Sequence, residues 1–348
     1  MNNILQIELI LTQKCNLSCN YCYILNNENF DIDYDDMNLF KEIIPEILKL
    51  YQKNKYFINY FGGEPLLKWD MIKYINNELN CDKNYSGATL FTNGLLLDEE
   101  KFQYLIKNNI NISLSFDGIW NDDNRSLISR ESSLQHYNKK FELFKKYNLN
   151  SCSITVNPNN IETIVENFEF LYNFGIINQI YRFNEDLVWT NSDVKRFRIK
   201  LFELSKKYLK YNKENKKCNI NLFNDTILKE NILNNDPNFD FKNGHCFAGL
   251  NGLSFSHPGI FYPCARFIND NFFQLNNNKK INIELINKIK NIKQQKFIEC
   301  NVCQIKSTCD CGCLYVELDK KNLTRKSNKH ICLINNVIYN ISRNMYTE

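Results

Sequence analysis

Three cysteines fall within eight residues, Cys15, Cys19 and Cys22 in CNLSCNYC, directly after the apolar run ILQIELILT. Thiolates are soft donors. Three of them at x3 and x2 spacing, with no fourth beside them, suit a four-iron, four-sulfur cluster that keeps one iron open for a substrate or cofactor. Zinc is the competing metal for such a run taken alone. A second group lies downstream: Cys246 and Cys264, then Cys300, Cys303, Cys309 and Cys313 at x2, x5 and x3 spacing, then Cys332. The start of the chain lacks the basic leader and cleavage site of a secretion signal, so its fourteen cysteines are expected in a reducing, cytoplasmic setting, where clustered thiols hold metal.

The elements that must position these thiols read as a series of β/α units. Strand-like runs at 4–12, 56–61, 88–92, 112–116, 153–156 and 176–181 alternate with segments of helical spacing, such as FKEIIPEILKLY and DEEKFQYLIKN. Six such units predict a parallel sheet. Pro45 predicts that the first helix begins or kinks there. A long helical stretch, SDVKRFRIKLFELSKKYLKY, follows residue 190, and a hairpin is expected around His257, Pro258 and Gly259. The division expected is 1–190 as the core, 191–243 as a helical bridge and 244–348 as a cysteine-rich α+β domain. Asn is abundant throughout and reads as a compositional bias.

The 348 residues, 43% hydrophobic, are enough to bury a large core. A net charge of +4 without a basic block gives no case for nucleic acid or a membrane surface, and no stretch is apolar enough to span a bilayer.

The first motif, Cys15, Cys19, Tyr21 and Cys22, resembles the CxxxCxΦC signature of the radical S-adenosylmethionine (radical SAM) enzymes. The resemblance implies a partial (β/α)6 barrel of the TIM type, an α/β fold whose chemistry gathers at the C-terminal ends of the strands. It also implies a cluster whose open iron chelates S-adenosylmethionine, with Tyr21 near the adenine. FGGEP is similar to the family's GGEP motif: Gly62 and Gly63 let the backbone approach closely, Glu64 would accept from the methionyl ammonium, and Pro65 closes the motif. A plain Gly-Gly turn is the alternative. Asn93 in TNG neighbours the pocket, Ser115 and Asp117 in SFDG match ribose and carboxylate contacts, and Thr155 is a further candidate. Arg125 or Arg130 would pair with the cofactor carboxylate, a solvated surface arginine being the alternative for each.

The downstream cysteines resemble a SPASM domain, which holds two auxiliary clusters; a zinc ribbon is the alternative for CNVCQIKSTCDCGC. By matching positions, Cys246, Cys264 and Cys313 would serve the inner cluster, one ligand short where Gly252 stands, a gap read as room for substrate. Cys300, Cys303, Cys309 and Cys332 would serve the outer one. Cys311 replaces a glycine of the usual CxGGC and is a candidate hydrogen-atom donor or ligand, or an ordinary buried cysteine; Cys81, Cys152 and Cys218 match no motif and are expected in the core.

Three 4Fe-4S clusters and S-adenosylmethionine are thus the implied cofactors, with flavodoxin or ferredoxin as electron donor. The implied activity is peptide maturation, by a thioether or other crosslink or by epimerisation. Only fourteen residues precede Cys15, too few for a leader-recognition domain, so leader binding, if any, is expected to need a separate leader-binding protein or the barrel itself. Anaerobic sulfatase-maturing enzymes carry an aspartate after the cysteine matched by Cys264; Ala265 stands there and argues against formylglycine formation. Oxidation of a small alcohol or sugar is the competing activity, and an electron carrier or zinc module the non-enzymatic one.

Overall fold

The computed structural model describes residues 3–24, 30–235, 246–295, 297–306, 308–309 and 312–345. They form two compact units. The first comprises 1–18, 22–113 and 247–295; the second comprises 19–21, 114–246 and 296–348.

In the first unit, strands β1 (Ile4–Ile10), β2 (Lys55–Phe61) and β3 (Tyr85–Thr92) run parallel. Alternation decides their faces: Leu5, Ile7 and Leu9 of β1 are fully buried, whereas Gln6 and Glu8 point the other way and are partly accessible. Helix α1 (Tyr34–Leu50) starts on a reciprocal capping box between Asp33 and Asp36 and turns Met37, Phe40, Ile43, Ile44 and Ile47 into the core. Pro45 lies inside this helix rather than at its start, because tertiary burial of that apolar face outweighs one missing backbone donor. Helices α2 (Trp69–Leu79) and α3 (Glu99–Lys107) follow the next two strands, and β4 (Ile110–Ser115) begins in this unit.

The second unit takes the end of β4, where Leu114 and Ser115 pair in parallel with Cys152 and Ser153 of β5 (Ser151–Val156). β6 (Asn178–Phe183) and β7 (Asn219–Ile220) continue the parallel order. Helices α4 (Ser133–Lys146), α5 (Ile164–Asn173), α6 (Asn191–Lys213) and α7 (Asn221–Asn235) connect or follow these strands. The six strands β1 to β6, each followed by helix, are the α/β partial barrel that the pattern predicts.

Two features depart from the sequence pattern. The expected hairpin forms from β8 (Gly252–Ser256) and β9 (Ile260–Tyr262), yet β8 also pairs in parallel with β1, Glu8 opposite Ser254, so residues 247–295 pack with the first unit. This segment carries α8 (Ile283–Gln294), while α9 (Lys329–Asn344) packs in the second unit, where Ser342 Oγ donates to the Leu222 carbonyl of α7. Secondly, Cys81 is exposed rather than in the core, since it follows the end of α2; Cys152 is fully buried and Cys218 half-buried.

Candidate cofactor and cluster sites

In the first unit the motif residues meet around two close backbone approaches. Gly63 N–H donates to the Thr12 carbonyl and Glu64 N–H to the Lys14 carbonyl, each at 2.8 Å, which stitches FGGEP to the segment leading into Cys15. A Cβ on Gly62 would lie 2.2 Å from Thr12 O, and one on Gly63 2.1 Å from Lys14 O. Gly62 also has φ +139°, a conformation that side-chain-bearing residues avoid. Both positions are therefore restricted to glycine by backbone packing, and Pro65 opens the short helical turn that follows.

Glu64 is fully buried. Its carboxylate accepts from Thr92 Oγ1 at 2.7 Å, Asn93 N at 2.8 Å and Leu66 N at 3.0 Å. Burial nevertheless pushes it up to about 7, the three donors offsetting only part of that cost. Asn93 extends the chain of contacts: its Nδ2 donates to Asn16 Oδ1 at 2.7 Å and lies 4.0 Å from Cys15 Sγ. GGEP, TNG and the cysteine loop are thus tied by one hydrogen-bond network. Cys15 Sγ accepts from Leu17 N at 3.4 Å, and burial, aided by the Glu64 and Cys22 charges, pushes its thiol up to about 11.

In the second unit Asp117 is fully buried and collects donors from three elements. Oδ2 accepts from Tyr21 Oη at 2.7 Å and Asn124 Nδ2 at 3.0 Å, with Arg125 Nε 3.2 Å away; Oδ1 accepts from Thr155 N at 2.8 Å. The Arg125 guanidinium lies 5.2 Å from the Tyr21 ring centroid. Burial, and then the Asp117 charge, pushes the Tyr21 phenol well above its usual value and keeps it a donor. Asp117 thus anchors Tyr21, Arg125 and Thr155, while Ser115 takes the Tyr137 hydroxyl on its carbonyl and Arg130 is exposed. Beneath Asp117 an amide ladder runs from Asn124 through Asn157 to Asn184, at 3.1 and 3.0 Å. At these three positions the asparagines are structural links across strand ends, which composition alone does not reveal.

The cysteines expected at the outer auxiliary site, Cys300, Cys303, Cys309 and Cys332, line one cavity of the second unit together with Phe297, Ile305 and Glu317. Four thiols around an otherwise mostly apolar cavity fit a four-thiolate iron-sulfur cluster. Of the inner set, Cys264 belongs to the first unit, and Cys246 and Cys313 to the second. Cys313 N–H donates to Glu185 at 2.8 Å; Gly312 N–H donates to Glu317, which is itself paired with buried Arg325. A Cβ on Gly312 would meet both carboxylates, which accounts for glycine there. Cys311 lies outside the described residues.

Glu8 carries a contact that motif reading missed. Its Oε2 accepts from Ser254 Oγ and from Ala265 N, the position where an aspartate would stand in sulfatase-maturing enzymes. The only trace in the sequence is one charge inside an apolar strand.

Residues 9–171 match the radical SAM superfamily. They form a radical SAM domain. Such a domain implies a 4Fe-4S cluster with S-adenosylmethionine. The chain is 28% identical over 157 residues to the radical SAM cyclopropyl synthase TigE of Paramaledivibacter caminithermalis, covering 41% of this chain and 33% of that protein. It is 23% identical over 330 residues to a cysteine-type anaerobic sulfatase-maturating enzyme of Clostridium novyi, covering 87% and 85%. The chain spans 58% or less of the length of the first two curated relatives it matches. Among solved structures, anSMEcpe with bound AdoMet and Cp18Cys peptide matches with a TM-score of 0.75 at 18% identity, covering 98% of this chain and 99% of that one. The radical SAM domain therefore sits within a fold shared along almost the whole chain. No helix among the described residues is long and apolar enough to cross a membrane.

Proposed function

We propose that this chain is a radical SAM peptide maturase carrying two auxiliary clusters beside the SAM-binding one. Cys15, Cys19 and Cys22 would hold the first cluster; when bound, that group supplies the electron that cleaves S-adenosylmethionine to methionine and a 5'-deoxyadenosyl radical. The protein's own part is placement. The Glu64–Asn93–Asn16 network fixes the cysteine loop against GGEP, and Glu64 offers a buried carboxylate to the methionyl ammonium, whose charge would hold it ionised. Asp117 locks Tyr21, Arg125 and Thr155 into a rigid wall, with Ser115 at its edge; the Arg125 charge would face the cofactor carboxylate.

The four-thiol cavity of Cys300, Cys303, Cys309 and Cys332 is the observation that carries this reading beyond a radical SAM core. The peptide substrate is supported by the relatives named above, and crosslinking or epimerisation is favoured over formylglycine formation because Ala265 has no carboxylate. The 23% identity to a sulfatase-maturating enzyme over most of the chain keeps protein oxidation as the second reading.

Anaerobically reconstituted protein, given dithionite and S-adenosylmethionine, is expected to release 5'-deoxyadenosine; none from cluster-loaded protein would end the enzymatic reading. Mass spectrometry of peptides encoded beside the gene then separates a crosslink, which loses two hydrogens, from epimerisation, which leaves the mass unchanged and yields a D-residue.

A further inference from the structure

The cations of α6 are scattered through its sequence, and the helix gathers them. Of its 23 residues eight are Lys or Arg and two are acidic, a net +6 in a chain whose total is +4. One side of the helix is spent on the core, where Phe197, Leu201, Leu204 and Tyr208 are buried. The opposite side exposes Lys195, Arg198, Lys206, Lys210 and Lys213 around Ile199 and Phe202. At helical spacing these residues fall within about a third of the circumference. Neither acid lies on this face: Asp193 is buried and Glu203 pairs with Lys200 at 3.0 Å beside it. Lys210 approaches Glu214 at 3.9 Å, and no ion pair among the described residues involves Lys195, Arg198, Lys206 or Lys213. Ile199 is 59% exposed and Phe202 52%, although both are weaker helix formers than the Lys or Glu usual on a solvent face. Helix propensity and burial therefore give no reason for the two apolar side chains, whereas a partner would.

We infer that this face of α6 docks an acidic, amphipathic helical segment of the peptide substrate, outside the residues that are modified. This rests on the peptide-maturase reading above. From Lys195 to Lys213 the face runs about 27 Å, room for a partner helix of several turns. Ile199 and Phe202 offer its apolar stripe two anchors one turn apart, and the flanking cations meet its carboxylates and steer its approach. A membrane surface suits the face less well. A helix lying in a bilayer interface needs a broad apolar side, and here that side is already in the core, with Leu209 half-buried and only two large apolar residues exposed on the cationic face. Nucleic acid would use the cations but leave Ile199 without a role, and Lys206 Nζ already stands 4.3 Å from the centroid of the Phe202 ring on which a base would stack.

The test is fluorescence anisotropy of the full chain with a labelled acidic peptide that has Leu at every third or fourth place and Glu, Gln and Ala between. A scramble of the same composition is the control. The patterned peptide is expected to bind more tightly than the scramble, and less tightly as salt rises. Ile199→Ser with Phe202→Ser should weaken binding about tenfold, the loss of interface anchors. Lys195→Glu with Lys206→Glu should weaken it comparably and flatten the salt dependence. Circular dichroism of both doubly substituted proteins should match the wild type, since all four side chains are exposed. Affinity that ignores both pairs of substitutions, or a scramble bound as tightly as the patterned peptide, overturns the inference. Tighter binding to phosphatidylglycerol vesicles or to single-stranded DNA, lost in the same variants, overturns it as well. Should the serine pair fail to fold, the glutamate pair decides. Anisotropy needs no turnover, so a failure here removes the docking surface and leaves 5'-deoxyadenosine release, the test of the enzymatic reading, untouched.

Discussion

Replacing Gly63 by alanine tests the backbone approach on which the radical SAM site is built. The new Cβ would lie 2.1 Å from Lys14 O, 2.5 Å from Lys14 C and 2.8 Å from Gln13 O, all main-chain atoms with no flexible end to swing away. Restoring ordinary contact needs a retreat of at least about 1 Å. Such a retreat loosens the two 2.8 Å backbone hydrogen bonds to Thr12 O and Lys14 O. Each buried group left without its partner costs about 1–3 kcal/mol, so a total of about 3 kcal/mol or more is expected. The same movement displaces the Lys14–Cys15 peptide, so the loss of cluster loading should exceed what reduced stability alone explains. Gly175→Ala is the control: that glycine has φ +89° but nothing within 4 Å of the added carbon, so only conformational strain of about 1–2 kcal/mol applies. Urea unfolding of the two variants, with iron counted after anaerobic reconstitution, separates packing from strain. A Gly63→Ala protein as stable as Gly175→Ala, with full iron at the first site, would refute the close-approach argument.

Three other substitutions probe the buried polar groups. Asp117→Ala should destabilise by about 3–5 kcal/mol, read by urea unfolding, because it strands the Arg125 charge and the donors of Tyr21, Asn124 and Thr155. Glu317→Leu should also be costly by the same measurement, since buried Arg325 loses its carboxylate partner. Burial raises the Glu8 carboxyl above its usual 4.5, Ser254 and Ala265 offsetting only part of the cost. The stability Glu8 contributes is therefore fully present below pH 4.5 and lost as pH rises through its folded value; Glu8→Gln should flatten that decline, seen as a smaller loss of urea midpoint from pH 5 to pH 8.

The sequence carried the radical SAM signature and most of the scaffold. Cysteine spacing, glycine pairs and alternating strand patterns are local properties, and a thiol triad or a parallel β/α series depends on residues close in the chain. Helix bounds were less legible: Pro45 reads as a start or a kink, yet α1 begins eleven residues earlier, at Tyr34, and its apolar face carries it through the proline. Only tertiary structure decided that Asp117 is a hub holding Tyr21, Arg125 and Thr155, and that Asn124, Asn157 and Asn184 form a ladder within an asparagine-rich background. It alone placed β8 beside β1, bringing Ser254 and the Ala265 amide onto Glu8 across some 250 residues of chain. The physical reason is the same in each case. Burial and hydrogen-bond partners belong to pairs of residues distant in sequence, and no local pattern records which distant partner a buried polar group will find.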